Sequence, residues 1–320
     1  MYRRRHMVPM TTFLRKTLPA KLPDTVLYPF SGGDLLAVQS AFPTGRRFVL
    51  LSLEQGGTPD PLHRLTPAQQ RNARRRFLRH ARRTLQHSYS HTKDLLEPEG
   101  LRIPGLLPLI LLGLRVHGGT PVGLRYFHLN KEGRVVYFTR AELAASGPWP
   151  RPEKRKRWGR IYADPGYNLA YSNVELRYRL PGDRSDRVLQ HIAADISNPG
   201  LDHAAGLESF LKGLGKRALM IKAASFLLWK KRYTRIREAV TQDASLVLAD
   251  SSAPFPSWLR AKGFRLRLFG NFRCPIIQTL KSQARPWIRA FGPKLRPRLS
   301  FAFGYRDCKH QNHLILGLRD

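Results

Sequence analysis

The sequence lacks the long apolar runs that mark membrane-spanning and secreted proteins. No run reaches the roughly 18 apolar residues that a membrane helix needs, because Pro104, Pro108 and Arg115 interrupt the most apolar stretch, residues 103–116. Residues 1–24 are basic and contain no apolar core of a signal peptide. We therefore expect a basic, poorly ordered lead-in over residues 1–24 and no membrane span. The expected location is the cytoplasm for the chain as written, or the periplasm if the true start lies upstream.

Cysteine is also scarce, and no HExxH, P-loop or GxSxG motif is present. Cys274 and Cys308 form no CxxC pair, which predicts free thiols, although an exported form could pair them. Cys308, His310 and His313 form a C-x-H-x2-H cluster near the end of the chain. The cluster lacks a fourth ligand, and its spacing is not that of the common zinc sites. We interpret it as a solvated turn inside a closing hairpin, and we predict no bound metal.

Acidic residues are few, since 22 Asp and Glu stand against 56 Lys and Arg, and the net charge is +34. Thr66 and Pro67 begin a predicted helix whose single apolar stripe is surrounded by arginines. Such a surface attracts nucleic acid and other polyanions, but runs of like charge also cover ordinary solvated faces, and both interpretations stay open. The candidate polyanion contacts are Arg71, Arg75, Arg79 and Arg82 of this helix, and Arg155 and Arg157 of a predicted loop over residues 148–160.

The order of the predicted elements favours the α/β class, and a hydrophobic content of 42% suffices for a core. Hairpin signals lie at residues 122–139 and 300–318, and residues 218–229 are predicted as a buried helix, with a strand as the alternative. We expect a Rossmann-like, mostly parallel sheet with helices on both faces and antiparallel hairpin insertions. It would form a single domain over residues 25–320, with a hairpin and a basic loop inserted around residues 122–186.

The segment over residues 25–54 contains the strongest signal for a ligand site. A predicted strand ends at Ser31-Gly32-Gly33-Asp34, and a second strand ends at Glu54, which follows Gly32 by 22 residues. This spacing is typical of dinucleotide-type domains, in which the acid binds a ribose. Asp34 would occupy the helix N-terminus where a phosphate usually binds, so we expect an ammonium group there instead. An ammonium and a ribose together favour S-adenosylmethionine, with Ser31, Gly32, Gly33, Asp34 and Glu54 as the binding residues.

Polar residues also follow the predicted strands that end near Asp195 and Asp250. If these strands are neighbours, their polar ends converge on one crevice, although turns everywhere use the same residue types. Lys222 and Ser225 lie three residues apart, so that on a helix a lysine with a lowered pKa could activate the serine. A buried lysine paired with Asp195 or Asp250 is the alternative. The candidate catalytic residues are Asp195, Lys222, Ser225 and Asp250.

Several of these motifs together resemble a known family. The chain reads YPFSGGD at 28–34, LSLEQGG at 51–57, KAASFLL at 222–228 and ADSSAP at 249–254. It is similar to a family of uncharacterised, often exported bacterial proteins that carry an N-terminal YPFSGxD motif and have no established activity. The resemblance implies an exported protein in which one shared feature is built by Ser31, Asp34, Glu54, Lys222, Ser225 and Asp250. Gly33 stands where that family usually has proline, and Ala249 and Ser252 replace an acid and a glycine.

Three functions therefore stay open. The first is a small-ligand α/β protein, with a methyltransferase-like transferase as the expected enzyme if the protein is one. The second is a basic protein that binds nucleic acid or another polyanion. The third is a non-catalytic, exported envelope protein, as the resemblance suggests.

Overall fold

The computed structural model describes residues 2–58, 66–87, 105–147, 168–204, 206–270, 288–289, 296, 299–304 and 313–320. Within these ranges the chain forms a ten-stranded mixed sheet with helices, which confirms the α/β class. The strands are β1 Thr25–Tyr28, β2 Arg47–Ser52, β3 Thr120–Leu129, β4 Val135–Tyr137, β5 Asn173–Arg179, β6 Arg187–Ala193, β7 Arg217–Ile221, β8 Ala244–Ala249, β9 Arg265–Gly270 and β10 His313–Leu318.

Helices connect or flank most of these strands. The α-helices are α1 Val8–Thr17, α2 Leu35–Ala41, α3 Pro67–His87, α4 Leu107–Val116, α5 Arg140–Ala145, α6 Asn198–His203, α7 Leu207–Gly213, α8 Thr234–Thr241 and α9 Pro256–Ala261. Shorter turns of 3-10 helix cover Leu169–Tyr171, Ala223–Trp229 and Lys231–Tyr233, and a π-helical turn covers Arg3–Met7. In the part of the chain that the structure describes, no helix combines the length and apolarity needed to cross a bilayer.

The strands follow the order β4-β3-β5-β6-β2-β1-β7-β8-β10-β9. The five central strands, from β6 to β8, run parallel to one another. Antiparallel strands extend the sheet on both sides, with β5, β3 and β4 beyond β6 and with β10 and β9 beyond β8. The prediction of a mostly parallel sheet therefore holds only for its centre, where strands buried on both faces read as continuous apolar runs.

Alternate residues of the central strands belong to two separate core clusters. In β1, Val26 and Tyr28 pack in the first cluster, while Leu27 packs in the second. The first cluster also contains residues of α1, α2 and α4, and the second contains residues of α6, α7, α8 and α9. This alternation is what the two-residue period of a strand requires when both of its faces are buried.

Two expectations from the sequence are wrong. The run at 218–229 is not one helix, because strand β7 ends at Ile221 and a 3-10 helix follows from Ala223. A short buried strand and a buried helix cannot be separated by periodicity alone. The basic lead-in is not without structure either, since α1 buries Met10 and Leu14 in the first core cluster.

The two predicted hairpins have different outcomes. The first is confirmed, because β3 and β4 pair antiparallel. Its turn closes with the amide of Gly133 donating to the carbonyl of Asn130 over 2.9 Å. The closing hairpin is wrong in its pairing, because β10 is bonded to β8 and β9, and residues 300–304 form no strand. Residues 305–312 lie outside the described ranges, so the predicted turn is not covered.

Candidate functional site

The carboxyl ends of the five parallel strands lie along one edge of the sheet, which we call the carboxyl edge. It is formed by the segments that follow β1, β2, β6, β7 and β8, namely residues 29–34, 53–58, 194–197, 222–225 and 250–253. From β1 the chain continues to β2 on one side, and it later crosses from β6 to β7 on the other side of β1. The segments after β1 and β7 therefore lie next to each other at the point where the strand order reverses.

A buried ion pair joins these two segments. The ammonium of Lys222 lies 2.8 Å from Oδ2 of Asp34, and the lysine side chain is fully buried while 8% of the aspartate side chain is exposed. The other oxygen of Asp34 accepts a hydrogen bond from the amide of Ala37 over 3.0 Å and caps α2. The expected partner of Lys222, Asp195 or Asp250, is therefore wrong. Both oxygens of Asp34 are already engaged, one by a cation and one by the backbone.

Asp250 lies beside this pair and is also fully buried. Its Oδ2 accepts from the amide of Ala223 over 3.2 Å, and its Oδ1 accepts from the amide of Ser252 over 2.8 Å and from the hydroxyl of Ser252. Gly304 packs over it, since a Cβ there would overlap Oδ2 of Asp250 and lie 2.9 Å from Cγ of Lys222. The segments after β7 and β8 and the segment at 299–304 therefore meet at one cluster.

Ser225 serves the backbone of this cluster. Its hydroxyl donates to the carbonyl of Pro29 over 2.9 Å and accepts from the amide of Lys222 over 3.3 Å. The serine thus ties the loop after β1 to the loop after β7, and the Lys222 ammonium bonds to Asp34 instead. The predicted lysine–serine pair is wrong as a proton-transfer pair, because Lys222 and Ser225 follow a strand and do not share a helix face.

Backbone strain is concentrated at the same place. Phe30 and Ala223 adopt φ values of 54° and 53°, and they are the two non-glycine residues with positive φ in the described part of the chain. Phe30 precedes the Gly32-Gly33 turn, whose glycines have φ values of 55° and 73°, and Ala223 directly follows Lys222. The left-handed region costs a residue with a Cβ about 1–2 kcal/mol. The two ends of the ion pair are therefore carried by strained loops.

The other predicted ligand residues lie near this cluster or apart from it. Ser31 bonds to the carbonyl of Leu51 through both its amide, at 2.8 Å, and its hydroxyl, at 3.2 Å, which links the loop after β1 to β2. Glu54 is 6% exposed, and its carbonyl accepts from Nε2 of His191 over 2.9 Å. Asp195 caps the amide of Ser197 over 2.9 Å and stays in its own loop. The structure therefore brings Asp34, Lys222, Ser225 and Asp250 together in one buried cluster, with Glu54 at the adjacent strand end and Asp195 outside. The ligand crevice itself stays a prediction.

A serine and a histidine that the sequence did not single out as a pair complete the cluster. The amide of Ser251 donates to Nε2 of His313 over 3.1 Å, and the hydroxyl of Ser251 is hydrogen-bonded to the same nitrogen. Both side chains are fully buried. The prediction of a solvated turn at His313 is wrong, because this residue begins β10, which pairs antiparallel with β8. In the sequence, the only signal for a buried His313 was its place at the first position of an apolar strand.

The remaining predictions concern charge and metals. Among the residues that the structure describes, no group of three or more His, Cys, Asp or Glu could hold a metal ion, and Cys308 and His310 lie outside these residues. Helix α3 exposes Arg71, Arg74, Arg75 and Arg82, and no described acid pairs with any of them. The side chain of Arg79, and Arg155 and Arg157 altogether, lie outside the described part.

Comparisons with protein-family models, with curated proteins and with solved structures found no match. The resemblance to the YPFSGxD family, and the exported envelope role that it suggests, therefore stay predictions. Functional interpretation of the carboxyl edge rests on its geometry.

Proposed function

We propose that this protein is a Rossmann-like α/β protein that binds a small polar molecule at the carboxyl edge, between the ends of β1 and β7. The two core clusters support the Rossmann-like part of the proposal, because each unites one set of alternate strand residues with its own set of helices. Open sheets of this kind bind ligands outside the carboxyl ends of their strands, where the strand order reverses. The Asp34–Lys222 pair lies at that reversal.

The buried ion pair is the observation that carries the proposal. Removing two charges from water costs several kcal/mol per ion, and apolar residues of similar volume often stabilise a protein as well or better. Strained non-glycine residues such as Phe30 and Ala223 persist only where the surroundings enforce them, and they cluster at functional sites. The Asp34–Lys222 pair lowers the stability of the fold, and so do the strained loops that hold it. A role in ligand binding explains such an arrangement better than a contribution to stability does.

The charges favour a particular kind of ligand. Among the described residues at this edge, the acids Asp34, Glu54 and Asp250 outnumber the cation Lys222, although the whole chain carries a net charge of +34. Such a surrounding repels phosphate and suits a ligand with an ammonium group and hydroxyls. An ion pair is also complementary to a zwitterion, whose carboxylate would bind Lys222 and whose ammonium would bind Asp34. The amino-acid end and ribose of S-adenosylmethionine fit this description, with Glu54 as the ribose-binding acid, and a methyltransferase-like reaction would follow.

Thermal unfolding with added ligand tests this proposal. A ligand present at 100 times its Kd stabilises the folded state by about 2.7 kcal/mol, so saturating S-adenosylmethionine should raise the melting temperature and ATP should not. Glu54→Gln should reduce the shift, while Glu132→Gln, which changes an acid with 62% of its side chain exposed, should leave it intact. An unchanged melting temperature of the unmodified protein at millimolar S-adenosylmethionine would contradict the proposed ligand.

Helix α3 supports a second candidate function, the binding of nucleic acid or another polyanion. Its exposed arginines without acidic partners are free to neutralise phosphates, and each phosphate contact contributes about −0.9 to the slope of log K against log salt for duplex DNA. Replacing Arg71 and Arg75 by Gln should weaken DNA binding and flatten that slope. The matched control replaces Arg134 and Arg140, which are exposed elsewhere. Equal slopes in both double variants would remove α3 as the binding surface.

A further inference from the structure

The described chain contains two contacts between a buried serine and a histidine ring nitrogen, and they differ in where the ring proton lies. One contact joins Ser251 to His313 at the carboxyl edge. The other joins Ser40 of α2 to His117, with 3.4 Å between Oγ and Nε2. A serine can act as a nucleophile only if a neighbouring base can take its proton, so the proton positions decide which pair is chemically competent.

In the first pair, His313 must accept at Nε2. A backbone amide can only donate, and the amide of Ser251 is 3.1 Å from this nitrogen. The neutral ring therefore carries its proton on Nδ1. Because Nε2 has no proton to give, the hydroxyl of Ser251 is the donor in its own hydrogen bond to this nitrogen. Its proton already points at the base.

In the second pair the arrangement is reversed. Nε2 of His117 lies 3.0 Å from the carbonyl oxygen of Leu36, which can only accept, so this nitrogen carries the proton. The hydroxyl of Ser40 donates to the same carbonyl over 2.7 Å. Nε2 of His117 therefore has no lone pair for Ser40, and both side chains serve as structural donors to the carbonyl of Leu36 in α2. The chain thus supplies its own inactive counterpart to the Ser251–His313 pair.

The turn that holds Ser251 is also of a type that carries nucleophilic serines. It lies in a tight turn between β8 and α9, which closes with the amide of Ala253 donating to the carbonyl of Asp250 over 3.2 Å. The side chain of Asp250 fixes the turn through the amide of Ser252 over 2.8 Å. A sharp strand–turn–helix connection is the element on which α/β hydrolases place their serine, although the flanking glycines of their motif are absent here.

We propose that Ser251 is a catalytic nucleophile and His313 its general base, in the hydrolysis of a small ester at the carboxyl edge. The location of the substrate rests on the proposed function, whereas the chemistry rests on this pair alone. Oγ of Ser251 forms a bond to the carbonyl carbon, and its proton moves to Nε2 of His313. The bond to the leaving alcohol breaks, and the alcohol departs with that proton. Water then gives a proton to Nε2 of His313 and attacks the acyl carbon. The bond from that carbon to Oγ breaks, the acid leaves with the other water proton, and His313 returns its proton to Oγ of Ser251.

Covalent labelling of the full-length protein tests the proposal. Diisopropyl fluorophosphate forms an Oγ–P bond with an activated serine and releases fluoride, which leaves with the serine proton. Intact-mass analysis and peptide mapping should find one adduct, on Ser251. Ser251→Ala should abolish it, and His313→Gln should slow it by about 100-fold or more, which is the usual contribution of a general base. Ser40→Ala should label as the unmodified protein does.

A further measurement keeps the test decisive. Labelling of the unmodified protein should vanish in 8 M urea. This control does not depend on the folding of any variant. An absent adduct on Ser251 in the folded protein, or an equal rate in a folded His313→Gln variant, would overturn the proposal. Labelling needs no cofactor, so a protein that labels but ignores S-adenosylmethionine would disprove only the proposed ligand. A protein that binds S-adenosylmethionine without labelling would disprove only the nucleophile.

Discussion

Strand β7 carries a buried cation at each end, and the two differ in what they bind. Arg217 at the amino end and Lys222 just beyond the carboxyl end are both fully buried. Arg217 donates to three backbone carbonyls, those of Leu211 at 2.8 Å, Gly215 at 2.9 Å and Ala239 at 2.7 Å, and its Nη1 also lies 3.6 Å from Oδ2 of the partly exposed Asp243. Lys222 makes its hydrogen bond to a side chain, the buried carboxylate of Asp34, at 2.8 Å.

The difference separates a structural cation from a candidate functional one. The planar guanidinium of Arg217 ties α7, α8 and the backbone at Gly215 together, and its hydrogen bonds go to carbonyls, which cannot titrate or leave. The pair of Lys222 consists of exchangeable side chains, and strained residues and two further buried polar groups, Asp250 and Ser251, surround it. Burial of a charge by itself does not mark a functional site. The chemical nature of its partners does.

The largest expected effect comes from removing either cation. Lys222→Met leaves Asp34 as a buried charge without its cation, and Arg217→Met removes the side-chain donor from three carbonyls. We expect each substitution to lower the free energy of unfolding by about 3–5 kcal/mol, measured by urea denaturation. Arg134→Met, at a side chain that is 77% exposed, should change it by less than about 0.5 kcal/mol.

A second substitution should restore the lost stability of the Lys222 variant but not that of the Arg217 variant. Adding Asp34→Asn to Lys222→Met removes the unpaired charge and keeps a good helix cap, so the double variant should regain most of the lost stability. No single side chain can do this for Arg217, because the groups that accept its hydrogen bonds are backbone carbonyls. A double variant no more stable than Lys222→Met would show that the lysine contributes more than its ion pair.

The next effect concerns His191, a buried residue of β6 whose ring bonds to a backbone carbonyl, that of Glu54 at the carboxyl edge. Burial lowers the pKa of His191 to about 4, from 6.5 in the unfolded chain. Between these two pH values the unfolded state binds a proton that the folded state does not, so stability falls as the pH falls from 6.5 to 4. The loss from this residue should reach about 3 kcal/mol. Denaturation at pH 7 and pH 4 should show that this loss of stability is smaller in His191→Gln and unchanged in His203→Gln, an exposed control. An identical loss in both would contradict this origin.

The smallest expected effect tests the strain beside Lys222. Ala223→Gly removes a left-handed conformation that costs about 1–2 kcal/mol, while the added freedom of the unfolded chain subtracts about 0.5–1 kcal/mol. A net stabilisation of about 0.5–1 kcal/mol should follow in urea denaturation. Ala218→Gly, in the middle of β7, has no strain to relieve and should destabilise. Destabilisation by both to the same extent would mean that Ala223 stores no strain.

The sequence predicted the α/β class, the β3–β4 hairpin and the loops that bear the polar cluster. Those loops were predictable because apolar strands of regular spacing place their polar ends at turns, as at Asp34 and Asp250. The extent of the antiparallel strands, the strand at 217–221 and the buried helix α1 were not predictable. Short apolar runs are compatible with strand or helix, and the choice depends on which neighbours are available to bury them.

By itself, the sequence determined the charge of the protein, its two-sided buried strands and the residue types available at their ends. Only the tertiary structure decided which of these residues meet. Lys222 reaches Asp34 across 188 residues of chain, and Ser251 reaches His313 across 62. Periodicity and turn chemistry act over a few neighbouring residues, whereas these contacts depend on the order of β1, β7, β8 and β10 in the sheet, which no local pattern specifies.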